Sequence, residues 1–467
     1  MNAIIFSAVW GVVMMFSSAF SKNKSLIRYL AIIGSALLLL VNIADLASQG
    51  SPFFQIDTKG MLVFKVFGLL INCVAFGSTL IYFLLSSKDI EEVGPNNGDY
   101  FALIFFVLCG VSLTTSYNNL LMLFIGIEIL SIPLYILTGS SKRNLKSNEA
   151  SLKYFLMGAF STGIMLLGIA FLYGASKTGS FFIDDISIGS ASPSPLFIVG
   201  LLMMIVSLSF KVSAAPFHFW TPDVYDGSPT VFTSFMATVV KGAAFVAFIR
   251  LFGDSFVEAQ PKWEIIIAII IAATLFIGNI TAVFQQSVKR MLAYSSIAQV
   301  GFMLFAILGT GLKSSIAFEG ILLYFAAYSL ATIGIFAVLI KMKDHSFDGF
   351  NGLAKQQPLL AATNTVFLLS LAGIPLTAGF FAKYYMLATV LQTGKFFWLA
   401  IFAVLCAAVS VYYYFRVIQA MYFKDGEPQP IEVSSGFKSL LFIVAIAIIL
   451  LGIFPQWLID RLSILYF

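Results

Sequence analysis

The chain has 467 residues, 60% of them hydrophobic and only 10% charged, with a net charge of +5. A soluble domain carries about 25% charged residues, so this composition excludes a soluble globular protein and fits an all-α polytopic membrane protein. No segment offers a phosphate cradle, a dinucleotide fingerprint or metal-ligand spacing. The lipid bilayer is the expected surrounding, and no nucleic-acid partner is expected. Cys73, Cys109 and Cys406 lie in apolar runs and form no CxxC pair, so they read as small buried hydrophobes.

Apolar windows of about 20 residues mark membrane spans. The first, 3–20, has no basic residue ahead of it; Lys22, Lys24 and Arg28 follow. It therefore reads as a retained span with its N-terminus outside, not a cleaved signal. Spans at 29–47, 61–85, 101–117, 120–138 and 150–175 come next. The seventh, 196–225, is interrupted: FKVSAAPFHFWTPDVY holds Pro216 and Pro222. Then come 229–253, 265–284, 291–309 and 315–340. The twelfth, 359–391, is interrupted too: SLAGIPLTAGFFAK holds Gly373, Pro375 and Gly379. Spans at 396–423 and 437–454 bring the count to about fourteen.

Loop charges test that count. Alternate loops, starting with the first, hold Lys22, Lys24, Arg28, Lys88, Lys142, Arg143, Lys146, Lys289, Arg290, Lys341, Lys343, Lys355, Arg416, Lys424 and Lys438. The other set holds about half as many: Lys59, Lys65, Lys177, Arg250, Lys262, Lys313, Lys395 and Arg461. The positive-inside rule makes the first set cytoplasmic and puts both termini outside. The loop 86–100 fits least well, because Asp89, Glu91 and Glu92 accompany a single lysine.

Proline removes a backbone donor and clashes with the preceding turn. In hydrocarbon the freed carbonyls need protein or water, so such breaks line cavities. The two breaks lie five spans apart, and an odd unit inverts from one copy to the next. This predicts two inverted five-helix repeats with discontinuous helices 7 and 12, a transporter architecture. The division is 1–99 (three spans), 100–255 (spans four to eight), 256–425 (nine to thirteen) and 426–467 (the last span).

The costly residues point to function. Lys241 lies at the midpoint of PTVFTSFMATVVKGAAFVAFIRLFG. A lysine or glutamate at a bilayer centre costs about 2.5–3.5 kcal/mol on insertion scales. Either end of this span is about 18 Å away at 1.5 Å per residue, beyond the reach of a snorkelling stem. A structural ion pair is the remaining bland explanation. Glu128, at the centre of LLMLFIGIEILSIPLYIL, meets the same depth argument. Lys211 precedes the first break and Lys383 follows the second. Burial disfavours a charged lysine or carboxylate and an opposite neighbour restores it. A buried lysine whose carboxylate partner can approach or withdraw is thus a proton carrier with a switch.

Other candidates are weaker. Lys153 is near enough to a span end to snorkel. Lys289, beside Arg290, suits a topology anchor as well as a proton path. His218 follows Lys211 by two helical turns, if the helix were continuous, and can relay protons. His345, among Lys343 and Asp344, reads as a solvated loop residue.

FKVSAAPFHFWTPDVYDGSPTVFTSFMATVVKGAAF resembles the signature of the antiporter-like membrane subunits of proton-pumping NADH–quinone oxidoreductase, respiratory complex I. WTPDVYDGSPT, NEASLKYFLMGAFSTGIMLLG and VKRMLAYSSIAQVGFM resemble subunit N within that family. The resemblance covers nearly the whole chain. It implies a proton-translocating subunit of a bacterial inner-membrane translocase, with no redox chemistry or cofactor of its own. Quinone, FMN and iron–sulfur clusters would sit in partner subunits. Neighbours would be the antiporter-like subunit M and the small subunits K, J and A. Glu128 and Lys211 would be the fifth- and seventh-helix charge partners, Lys241 the central lysine and Lys383 the exit lysine. His218, Lys153 and Lys289 fall on relay positions. Where relatives often have histidine this chain has Gln299, which cannot ionise, so a relay there would need water. The rival readings are a subunit of a multisubunit sodium/proton antiporter, a stand-alone solute symporter and a structural spacer.

Overall fold

The computed structural model describes residues 1–21, 23–48, 56–176, 178–190, 193–310, 316–426 and 431–460. Lys22, Lys177, Lys313 and Arg461, four of the loop charges, lie outside these residues. In chain order the helices are α1 (Asn2–Phe20), α2 (Lys24–Ala47), α3 (Val66–Val93), α4 (Asn97–Ser116), α5 (Leu120–Thr138) and α6 (Leu145–Ala175). A short α7 (Ile183–Ser190) precedes α8 (Pro195–Val212) and α9 (Trp220–Gly227), which together make the seventh crossing. Next come α10 (Thr230–Arg250), α11 (Gln260–Val283), α12 (Val288–Met303) with its stub α13 (Phe305–Leu308), and α14 (Ile316–Ile340). A short α15 (Leu353–Gln356) leads into α16 (Pro358–Ala372) and α17 (Ala378–Gln392), the broken twelfth crossing. The last are α18 (Phe397–Phe423) and α19 (Ser435–Ile453). Among the described residues 13 helices are long and apolar enough to cross a membrane, and the α16–α17 pair supplies a further crossing.

Local chemistry sets the helix ends. Asn23, Asn119, Asn144, Ser194 and Ser434 each cap a helix by accepting a backbone N–H. Hydropathy ended the third span near Leu85, but α3 runs on to Val93 and stops at Gly94-Pro95, the first residues that cannot continue it. Asp89, Glu91 and Glu92 are therefore helical. That explains the awkward acidic loop. Asp89 pairs with Lys341 at 2.6 Å, Glu91 pairs with Arg28 at 3.2 Å, and Lys24 donates to the Glu91 carbonyl. The acidic residues are partners for basic residues from the same set of loops.

Contacts at the helix ends bear out the alternation. At one end Lys24, Arg28, Lys341, Arg290 and the Ser287–Ser346 bridge draw together segments of the basic loop set. At the other, Leu62 pairs with Tyr117, and Lys395 bonds Glu264 at 2.8 Å. An extra or missing crossing would mix these two sets.

Burial runs from the inside out. Every residue of α10 after Thr230 is buried, whereas only about a third or less of α1, α2 and α19 is. A helix that is apolar all round belongs in the centre of a bundle, and α10 packs on α3, α4 and α14. Close approach depends on small residues: a Cβ at Gly242 would lie 2.2 Å from the Phe325 ring.

Candidate functional site

Two helix breaks frame the site, and their backbones match. At the first, Ser213 takes a left-handed conformation (φ 70°), and the Ala214 N–H reaches back to the Ser209 carbonyl at 2.8 Å. At the second, Gly373 is left-handed (φ 82°), and the Ile374 N–H reaches the Leu369 carbonyl at 3.0 Å. Both are Schellman-type ends followed closely by proline. Glycine suits this position by its φ, and a Cβ there would come 2.8 Å from the Lys383 Cδ.

The breaks differ in what satisfies their carbonyls. At the first, the Trp220 indole N–H donates to the Phe210 carbonyl at 3.1 Å. At the second, the Lys383 ammonium donates to the Ala372 carbonyl at 2.8 Å, and the Gln299 amide donates to the Leu371 carbonyl at 2.9 Å. Lys383 also stands 4.9 Å from the centre of the Phe302 ring.

Lys241 is 3% exposed. Its ammonium donates to the Ser296 hydroxyl at 2.8 Å and the Ser296 carbonyl at 3.2 Å, between the rings of Tyr225 and Tyr328 at 5.9 and 6.0 Å. Among the described ion pairs none holds Lys241, Lys211 or Lys383 to a carboxylate, so a structural ion pair does not explain these lysines.

Glu128 and Lys211 share a neighbourhood without touching. Lys211 donates to the Ser131 hydroxyl at 2.8 Å. Ser131 is three residues after Glu128 on α5, hence on the same face, and its hydroxyl donates to the Ile127 carbonyl. One Glu128 oxygen is buried with no hydrogen-bond partner among the described residues. The implied charge pair is thus not an ion pair here: Lys211 is held by Ser131, on the same face of α5 as Glu128. His218 does not stack above Lys211 as a continuous helix would have it, because α8 ends at Val212. It lies half-buried in the break, and its Nδ1 has no partner among the described residues.

Two flanking lysines lie at the end of the bundle where the basic loops meet. The Lys153 side chain is 41% exposed, so its ammonium reaches the surface. It lies within the long α6 and joins Glu149 at 2.7 Å and Asp223 at 3.0 Å, and Asp223 also holds Arg290. This is a half-exposed cluster. Lys289 is 4% exposed and donates to the Asp226 and Ser228 carbonyls at 3.0 and 2.7 Å. It closes the α9–α10 turn and floors a cavity of about 380 Å³ that Glu92, Lys146, Asp226 and His345 also line.

His345 is therefore not a solvated loop residue. It is half-buried, its Nε2 lies 3.2 Å from the Met342 carbonyl, and its own carbonyl accepts the Val288 N–H at 2.8 Å. Burial, with the Lys289 charge beside it, holds the ring below the ordinary histidine range. Sequence reading missed it because the pairing of 287 with 346 that folds this loop onto α12 is long-range.

Gln299 is the hub between Lys241 and Lys383. It sits three residues after Ser296, donates to the Leu371 carbonyl and, at 3.1 Å, to the Tyr414 hydroxyl, and accepts from Tyr324. Ser295 bonds the same Tyr414 hydroxyl. Beside the amide is a cavity of about 10 Å³, lined by Tyr324, Tyr328, Ser370 and Gly379, about the room one water needs. The run from Lys241 to Lys383 thus carries Ser296, Gln299, Tyr324, Tyr414 and the Leu371 and Ala372 carbonyls. From Lys211 to Lys241 it is aromatic. Lys211 lies over Tyr135, Tyr135 meets Tyr154 at 4.7 Å, Tyr154 stacks on Trp220 at 4.6 Å, and Trp220 meets Tyr225 at 6.3 Å.

Residues 117–410 match the family described as NADH:quinone oxidoreductase/Mrp antiporter, TM. The chain is 41% identical to the NADH-quinone oxidoreductase subunit N of Cytophaga hutchinsonii, covering 98% of this chain and 99% of that one. A chain of the respiratory complex I of Thermus thermophilus, solved with bound aureothin, superposes with a TM-score of 0.84 at 30% identity, covering 98% of both. A chain of the Mrp complex from Dietzia superposes equally well (0.84) at 19% identity, covering 98% of this chain and 95% of that one, a likeness of fold alone.

Proposed function

The chain belongs to the subunit N family of NADH–quinone oxidoreductase, and from that premise we propose that it carries protons across the membrane through its buried lysines. Quinone reduction in partner subunits, which hold the FMN and iron–sulfur clusters, drives it. Subunits M, K, J and A are its neighbours. The complex sits in the bacterial inner membrane, and both termini of this chain face outward. Residues 100–255 and 256–425 act as two inverted repeats, each contributing one broken helix. Segments 1–99 and 426–467 flank them.

One observation carries this reading. Lys241 is deep, lacks a carboxylate among the described ion pairs, and connects by polar groups to Lys383. No packing role needs an amine there. The Glu128–Ser131–Lys211 group is the input switch. Movement of Glu128 toward or away from Lys211 changes the field felt by Lys241 across the aromatic stretch. At an effective dielectric of about 20 a unit charge acts with about 4 kcal/mol at about 4 Å, and its effect falls inversely with distance. The proton leaves Lys241 by the Ser296 side. It passes the non-ionisable Gln299 through the tyrosine hydroxyls and the small cavity, and reaches Lys383. His218 supplies a second titratable group at the first break. Lys153 tunes the charge cluster outside it.

Lys241→Ala in the assembled complex tests the proposal. In inverted membrane vesicles, proton pumping should fall by about 100-fold, the scale of a positioned proton-transfer group. Full pumping with full quinone reductase activity would overturn it. The rival reading, a subunit of a multisubunit sodium/proton antiporter, draws on the shared fold. Purification with only membrane antiporter subunits, without flavin or iron–sulfur partners, would favour that rival.

A further inference from the structure

The cavity of about 380 Å³ over Lys289 is not used by the lateral row. It gathers charges from five segments: Glu92 of α3, Lys146 of α6, Asp226 at the end of α9, Lys289 of α12 and His345 of the loop after α14. It lies at the end of the bundle where the basic loops meet.

A polar route leads inward from its floor. Lys289 donates to the Ser228 carbonyl at 2.7 Å. The Ser228 hydroxyl pairs with the Thr233 hydroxyl at 2.7 Å, and Thr233 donates to the Tyr225 carbonyl at 3.0 Å. The Tyr225 ring then faces the Lys241 ammonium. Ser228, Thr233 and Tyr225 are all buried in an otherwise apolar packing.

His345 is the titratable group at the mouth whose chemistry suits neutral pH. Its Nε2 is directed at the Met342 carbonyl, an arrangement that requires Nε2–H and leaves the lone pair on Nδ1. The groups that act on it are Lys289 and Asp226 across the cavity and Asp344 on its own segment. Lys146 and Glu92 line the same space. The basic groups repel its imidazolium and the acidic ones attract it.

We propose that this cavity is the cytoplasmic vestibule through which Lys241 is reloaded, and that His345 is the residue that passes protons into it. Nδ1 takes a proton from hydronium on the cytoplasmic side and gives that same proton to water inside the cavity. One N–H bond forms and then breaks, and the neutral ring with Nε2–H is restored. The inference rests on the proton-translocating reading above.

The test uses the assembled complex in inverted vesicles, whose outer face is the cytoplasmic one. Pumping and quinone reduction are followed as the outer pH is varied. For His345→Gln, pumping should fall about two- to ten-fold above pH 7 and recover at lower pH or with added imidazole. That is less than the roughly 100-fold of a directly reacting group, because water still reaches the cavity. His345→Asn should behave alike. A wild-type pH profile in both variants overturns the proposal. So does a loss of assembled complex in both, which would make His345 structural. Lys241→Ala run in parallel separates the failures: if it stops pumping while both His345 variants are normal, only the vestibule falls. If Lys241→Ala pumps normally, the underlying reading falls.

Discussion

The two helix breaks share a backbone but not a chemistry. Each ends in a left-handed residue and a long reach-back hydrogen bond. The first break is then sealed by an indole and walled with aromatic rings, while the second is bonded to an ammonium and an amide. A freed carbonyl in hydrocarbon must find a donor, but nothing dictates which one. In the proposed mechanism the indole closes the first break to protons and leaves only an electric field across it, while the lysine at the second holds a proton. On that proposal, equal geometry supports unequal roles, a field-coupled side and a proton-conducting side meeting at Lys241.

Breaking the conducting side should have the largest effect. Gln299→Leu leaves the Leu371 carbonyl and the Tyr324 and Tyr414 hydroxyls short of partners, each costing about 1–3 kcal/mol when buried. Pumping should fall at least tenfold in vesicle assays; unchanged pumping would show that protons avoid this hub. Gly373→Ser forces a side chain into the left-handed turn and onto the Lys383 stem, costing about 1–3 kcal/mol. The amount of assembled complex should drop, as native gels would show.

On the dry side, Trp220→Phe removes one donor and leaves the Phe210 carbonyl unpaired, which should cost about 1–3 kcal/mol. Quinone-coupled pumping should survive, because no proton passes there. A large pumping defect without loss of assembly would put a proton route on this side. Smaller still is His345. Because its folded value is depressed, the unfolded chain binds more protons below about pH 6.5. Its contribution to stability is present above that pH and is lost as pH falls toward the depressed value. Thermal-unfolding scans of the purified complex should show a weaker acid slope for His345→Gln. The smallest effect belongs to Ser213→Gly. Relief of a left-handed Ser, about 1–2 kcal/mol, is offset by the roughly 0.5–1 kcal/mol entropy cost of glycine. The complex should keep near-wild-type stability, in contrast to Gly373→Ser.

Much of the architecture was legible in the chain. Span number, both breaks and the depth of Lys241 follow from hydropathy, proline positions and helical rise. Contacts between distant residues were not. The carboxylate–lysine partnership of Glu128 and Lys211 is a neighbourhood with Ser131 between, because one turn of α5 decides which atom faces α8. In sequence, Lys289 reads equally as an anchor and as a proton-path residue, and His345 as a solvated loop residue, because membrane-edge residues usually face water. Only the strand-like contact of 287 with 346 turns them into the walls of one cavity. Tyr414 and Tyr324 gave no signal, being two tyrosines in apolar helices.

The sequence alone determined that this chain crosses the membrane many times, that two crossings are broken, and that Lys241 and Glu128 lie too deep to reach the membrane surface. Those facts are local: chain length, backbone sterics and desolvation suffice to derive them. Tertiary structure decided which donor closes each break, and so which side of Lys241 is polar and which aromatic. That choice depends on side chains far apart in the chain meeting within about 3 Å, the range over which a hydrogen bond exists at all.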